Sequence, residues 1–160
     1  MKQQISRLLD DLQIKYRSDK HKAVFTVADL AELNDGTVPI KNLLIQEDSG
    51  IRKFLVVMVG NKRLDLKDLR IKLNSKRLRF ASDNTLLQTF GVKPGAVSIF
   101  GMLDKGANDV EVVIDEVIIN IDEEIGFHPN DNTATIFISA NDLLPILKKI
   151  GCNYKIMKLY

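Results

Sequence analysis

The chain has no tryptophan, one cysteine and only two histidines. The lone Cys152 excludes an internal disulfide and any site built from several cysteines. A reactive thiolate needs a basic, organised setting, whereas Cys152 follows Gly151 where a helical pattern stops, so its role reads as packing. His21 and His128 have no third histidine or cysteine to complete a metal site, and neither a metal nor another cofactor is expected. Also missing are the G-x-S-x-G nucleophile elbow, the G-x-x-x-x-G-K-[ST] phosphate loop, the dinucleotide fingerprint and H-E-x-x-H. Acidic residues are plentiful, but spacing marks out no pair for two-carboxylate catalysis. An enzyme built from these parts works without a nucleophile of its own. The longest apolar run, Phe54 to Val59, is far short of the roughly 20 residues a membrane span requires. Met1-Lys2-Gln3-Gln4-Ile5-Ser6-Arg7 has neither an apolar signal region nor a small-residue cleavage site, so the expectation is a cytoplasmic protein without a membrane partner.

What is present suits a globular chain: 45% apolar and 28% charged residues, enough to fold without staples as one domain over residues 1–160. The net charge of +2 hides an uneven distribution. Lys62, Arg63, Lys67, Arg70, Lys72, Lys76, Arg77 and Arg79 face only Asp65 and Asp68, a local excess of six positive charges. From Asp104 to Glu124 eight acidic residues face Lys105 alone. Such polarity steers a polyanion to one face, and it equally describes a solvated helix with its flanks.

Ile5, Leu8, Leu9 and Leu12 recur at helical spacing and predict a helix ending near Gln13, followed by a short strand over Ile14 to Arg17. Thr26 and Asp29 resemble a capping pair opening a short helix through Leu33. Ile40 to Gln46 and Lys53 to Val59 flank Glu47-Asp48-Ser49-Gly50 and read as a hairpin. Leu64, Leu66, Leu69 and Leu73 mark a basic helix, Arg77 to Ala81 a strand, and Ser82 or Asp83 the cap of a helix stopped by Gly91. Val97 to Met102, Glu111 to Asp115, Val117 to Ile121, Thr133 to Ser139 and Tyr154 to Leu159 read as strands, and Asn141 to Ile150 as a helix. Hairpins interleaved with helices predict a mixed α/β (α+β) domain, with one central mixed sheet packed by helices, and argue against a doubly wound parallel sheet.

Three local constellations could carry chemistry. Lys41 and Asn42 place a cation and an amide at the mouth of an apolar strand, where the pair could receive a phosphate or ribose oxygen; a solvent-facing lysine at a strand end fits the same letters. Gly91, Gly95 and Gly101 bracket Ala96-Val97-Ser98-Ile99-Phe100, letting backbone groups approach a ligand, or simply forming a helix stop and a turn. His128, restricted by Pro129, sits among Asn130, Asp131, Asn132 and Thr133, which could fix its ring or merely build Asx turns.

Taken in order, Ala23-Val24-Phe25-Thr26, Lys41-Asn42-Leu43, Lys53 to Asp65, Arg79-Phe80-Ala81-Ser82, Gly91 to Gly101 and Phe127 to Thr135 resemble the freestanding prolyl-tRNA editing proteins of the YbaK and prolyl-tRNA synthetase-associated deacylase family. The resemblance covers nearly the whole chain, and its ordered set is more specific than any one piece. It implies a partly barrel-like sheet and hydrolysis of the ester joining a wrong amino acid, most typically alanine, to the terminal adenosine of tRNA(Pro). Cysteine or serine esters, or a non-catalytic module binding tRNA or a synthetase, are the alternatives.

The resemblance further implies roles. Lys41 would contact the terminal adenosine or its phosphate and Asn42 the ester, with Gly95, Ser98 and His128 completing the reacting centre. His128 would line the amino-acid pocket rather than serve as an obligatory base. Phe25, Ala96, Val97, Ile99, Gly101, Asn130 and Asn132 would bind substrate, and Lys62, Arg63, Arg77 and Arg79 the tRNA. The attacking water would be positioned by the tRNA's own ribose hydroxyl. The family's G-x-x-x-P loop maps onto Gly95 to Ile99, with isoleucine in place of proline. Expected partners are the 3′ acceptor end of mischarged tRNA(Pro) and prolyl-tRNA synthetase, the chain itself being a monomer.

Overall fold

A computed structural model describes residues 2–22 and 37–159. The helix expected from Thr26 to Leu33, and the candidate residue Phe25, lie outside the described residues. Helix α1 (Lys2–Asp11) buries Ile5, Leu8 and Leu9. Its end is set by Gln13 at φ 55, where Ile14 N–H returns to Leu9 C=O at 2.9 Å and closes the last turn. Strand β1 (Arg17–Lys20) starts later than expected and is polar. It pairs with β7 (Ala134–Ser139), and the Arg17 guanidinium covers the Phe137 ring at 4.0 Å.

The hairpin forms as expected from β2 (Ile40–Glu47) and β3 (Lys53–Val59), in a register running from Ile40 opposite Val59 to Gln46 opposite Lys53. Helix α2 (Leu66–Leu73) is capped by the Asp65 carboxylate, which accepts from the N–H groups of Lys67 and Asp68. Strand β4 (Leu78–Phe80) pairs with the far end of β2. Helix α3 (Asp83–Phe90) is capped by Ser82 and stopped by Gly91 at φ 68. Strand β5 (Val110–Asp115) lies parallel to β3, and β8 (Tyr154–Met157) parallel to β5, after helix α5 (Leu143–Ile150).

Two of the expected strands are helical. Val97 to Met102 forms no strand: Ile99–Leu103 is a 3-10 turn. Val117 to Ile121 gives way to helix α4 (Glu116–Ile119), whose Ile118 is driven into the core. In turn, β6 (Glu124–Phe127) is a strand that the alternation did not reveal.

There are two sheets rather than one: β1-β7-β6, and β4-β2-β3-β5-β8, with no closed barrel among the described residues. A parallel bridge between Val38 and Ile125 joins them. Leu44, Leu55, Val57, Val112 and Ile114 pack between the sheets with Phe127, Ile136 and Ile138, roofed by Phe90, Ile99, Phe100 and α5. On the opposite face, Ile45, Phe54, Val56, Met58 and Val113 are covered by Leu69 and Leu73 of α2. Among the described residues no helix is long and apolar enough to cross a membrane.

Candidate functional site

The pleat of β2 separates the two residues at the centre of the sequence argument. Ile40 and Leu44 belong to the core between the sheets, whereas Ile45 belongs to the core under α2. Alternation therefore sends Asn42 to the inter-sheet side and Lys41 to the α2 side. Among the described residues no strand pairs with the edge beside them. Strand β4 follows β2 only as far as Leu44, whose carbonyl accepts from Ala81 N–H at 2.9 Å, and the second sheet attaches only at Val38. Asn42 sits in the gap between these attachments, with no described strand against it. Its Oδ1 is buried and has no hydrogen-bond partner. Buried amide oxygens are rarely left so, and such an oxygen marks a place for a donor brought by a ligand.

Lys41 Nζ donates to the carbonyl of Lys62. Burial, then repulsion from Arg63, lowers its pKa from 10.5, so the ammonium is held where an arriving anion would relieve its cost.

The glycine segment approaches the same core. Pro94 and Gly95 occupy a turn closed by Ala96 N–H to Lys93 C=O at 3.2 Å, and Gly95 has φ 87, a value that disfavours any side chain there. Ala96 is buried and Val97 half-buried. Ser98 is fully buried and its Oγ accepts from Phe100 N–H at 3.1 Å, so the hydroxyl fixes the start of the 3-10 turn rather than standing free as a nucleophile. Ile99, in the place of the family proline, is 0% exposed: its side chain is a core residue. Gly101 is there for packing, since a Cβ on it would lie 2.8 Å from the Phe90 ring.

Beyond β6, the Phe127 ring meets Phe100 edge-on at 6.3 Å, and Asn130 Nδ2 reaches Phe100 C=O at 3.5 Å, which ties the two loops together. Asn130 has φ 59 and, like Asn42, a buried Oδ1 without a partner. Nδ1 of His128 lies 2.9 Å from the Ala134 carbonyl. A carbonyl only accepts, so Nδ1 carries the proton and Nε2 of the neutral ring is an acceptor. Burial is the main cause that lowers the His128 pKa from 6.5; nearby His21 lowers it further, while the Ala134 bond and Asp131 oppose the shift.

His21 was not singled out by sequence. Its ring lies 6.0 Å from His128 and hydrogen-bonds Thr135 Oγ1 at 2.7 Å across the β1–β7 junction, a long-range contact with no local signature. Asp131 accepts from Thr133 N–H and Oγ1 and pairs with Lys2 of α1 at 3.3 Å, which holds its pKa at about 2. Asn132 is half-buried in that loop.

The four candidate tRNA-binding cations fall into two groups. Lys62 and Arg63 adjoin Lys41, whereas Arg77 and Arg79 stand by Asp48 at the other end of β2, at 3.7 and 3.9 Å. Among the described residues no three His, Cys, Asp or Glu side chains gather to hold a metal ion. Burial raises the Cys152 thiol to about 11, which suits a packing role.

Residues 21–146 match the family described as the aminoacyl-tRNA editing domain. The chain is 35% identical over 160 residues to the prolyl-tRNA editing protein ProX of Acetoanaerobium sticklandii, spanning 99% of this chain and 97% of that protein. It is 29% identical to prolyl-tRNA synthetase associated domain-containing protein 1 of Xenopus laevis, over 94% of this chain and 92% of that one. Among solved structures, the hypothetical protein APE2540 superposes with a TM-score of 0.74 at 18% identity, covering 94% of this chain and 95% of that one. A candidate trans-editing enzyme for prolyl tRNA synthetase does so at 0.68 and 16% identity, covering 98% and 96%. These two structural likenesses speak for the fold.

Proposed function

The chain belongs to the aminoacyl-tRNA editing family, and from that premise we propose that it hydrolyses the ester of mischarged tRNA(Pro), with alanine as the preferred amino acid. The observation that carries the reading is the buried Asn42 Oδ1, which lacks a donor; Asn130 Oδ1, in the loop after β6, is a second such acceptor. An aminoacyl-adenosine end brings donors of that kind, an α-ammonium and a ribose hydroxyl. Lys41, on the other face of the same strand, takes the terminal phosphate in this reading as a point charge.

In this reading water adds to the ester carbonyl, the carbonyl oxygen becomes an oxyanion, and the ribose oxygen leaves with a proton. The tRNA's own ribose hydroxyl positions the water. The protein contributes orientation and donors aimed at the developing charge, from the Asn42 amide and the backbone around Gly95. His128, neutral with Nε2 as acceptor, lines the amino-acid side of the site with Ala96, Val97, Asn130 and Asn132. Discrimination is steric: a pocket sized for a methyl group excludes the proline ring, the strong direction for such a sieve. The Ile99 side chain is spent in the core. The protein acts as one editing unit, a cytoplasmic monomer working alone or beside prolyl-tRNA synthetase.

The test is release of amino acid from alanyl-, cysteinyl-, seryl- and prolyl-tRNA(Pro) by the native protein and by Lys41→Ala. Alanine should be released fastest, proline spared, and Lys41→Ala should raise KM at least about tenfold, as expected for losing a charge-assisted phosphate contact. No release above background from any ester would end the deacylase reading. Unchanged kinetics in Lys41→Ala would move the site elsewhere.

A further inference from the structure

Phe80 stands apart from the other phenylalanines in the described residues. Phe54, Phe90, Phe100, Phe127 and Phe137 are all buried, whereas Phe80 is 55% exposed. It is the last residue of β4, directly opposite Ile45, so its ring projects on the same face of the sheet as Lys41, Leu43 and Ile45. Lys41 lies four steps along β2 from the Phe80 position at Ile45, about 13 Å. The stretch between them is the one that β4 leaves uncovered after Leu44.

The surroundings are cationic. Lys76, Arg77 and Arg79 are exposed on and just before β4, with Asp48 as the counter-charge near Arg77 and Arg79. Lys62 and Arg63 extend the positive charge beside Lys41. An exposed ring in line with a half-buried cation, and flanked by arginines, is the construction that single-stranded nucleic acid uses: backbone charge follows the basic groups and a base stacks on the aromatic face. A protein partner would be expected to meet a wider apolar patch less densely charged.

We propose that Phe80 is the stacking platform for an unpaired base of the tRNA 3′ end, immediately preceding the terminal adenosine held at Lys41. This rests on the deacylase reading and adds a subsite to it. The RNA then crosses this edge of β2, phosphate on the Lys41 face and ester on the Asn42 face, with Phe80 setting the direction of approach.

The chain has no tryptophan, so Phe80→Trp installs a unique emission signal. Titration with a single-stranded RNA ending in CCA and carrying no amino acid should quench that emission, and adenosine alone should leave it unchanged. In kinetics, Phe80→Ala should raise KM for alanyl-tRNA(Pro) about tenfold with kcat retained, and Phe80→Trp should restore it. Hydrolysis of alanyl-adenosine, which lacks the stacked base, should match the native protein and so report an intact fold. Absence of quenching, equal quenching by adenosine, or an equal loss on both substrates in Phe80→Ala would overturn the proposal. A native protein that hydrolyses neither substrate would instead overturn the deacylase reading, a result distinct from the quenching.

Discussion

Replacing Asn42 with leucine should make the protein more stable and less active at once. Leucine has nearly the shape of asparagine, and position 42 lies on β2 between the core residues Ile40 and Leu44. In the free protein, Asn42 Oδ1 has lost its water and gained nothing in return. A buried acceptor in that condition costs about 1–3 kcal/mol, and an apolar replacement removes the cost. A gain of about 2 kcal/mol corresponds to a Tm higher by roughly 4–8 °C in a domain of this size. The same change removes the amide that the ester is proposed to meet, and loss of one such donor lowers kcat by about 100-fold or more. Thermal unfolding followed by circular dichroism, with deacylation of alanyl-tRNA(Pro) measured on the same preparation, checks both halves. A Tm at or below the native value would mean that Oδ1 is satisfied in solution, and the inference from its burial would fall. Native kcat in the variant would remove Asn42 from the reaction.

Gly101→Ala should destabilise by about 1–3 kcal/mol, since the added methyl would lie 2.8–2.9 Å from the Phe90 ring; the urea midpoint measures this, and Phe90→Leu in the same chain should recover part of the loss. Asp131→Asn tests the loop that carries His128. The folded pKa of Asp131 is about 2 against the usual 3.8, so its stabilising contribution is complete above about pH 4 and is lost as the pH falls through about 2. The variant should therefore be less stable than the native protein at neutral pH, and the two should converge near pH 2 in acid unfolding curves; parallel curves would show that Asp131 has no coupled role.

Local rules located the elements whose signals are local. The β2–β3 hairpin, the Ser82 cap and the stop at Gly91 all follow from a few neighbouring residues. The misread segments are those decided at a distance. Val97 to Met102 alternates like a strand, but the Gly95 turn, the Ser98 cap and the fit of Gly101 beneath Phe90 wind it into a 3-10 turn. Val117 to Ile121 is β-branched enough to suggest a strand, and tertiary packing of Ile118 overrides that preference. Gly126 hid β6, because a glycine within a strand weakens its signal; a Cβ there would lie 2.9 Å from Thr135 and 3.0 Å from Phe137 of the adjoining strand. The candidate site was legible as a set of segments, and its two unpartnered asparagine oxygens were not. Burial without a partner depends on which strand edges stay open, and no stretch of β2 records where β4 lets go.

The opposite orientation of Lys41 and Asn42 constrains how this strand can diverge. Point substitutions at 41 and 42 alter grip on the RNA and treatment of the ester separately, so selection can adjust affinity and turnover as independent traits. An insertion or deletion of one residue in β2 cannot do so, because a shift of one exchanges the faces and carries the cation into the inter-sheet core and the amide out of it. Substitution in this stretch is graded, whereas a change of length is all-or-none.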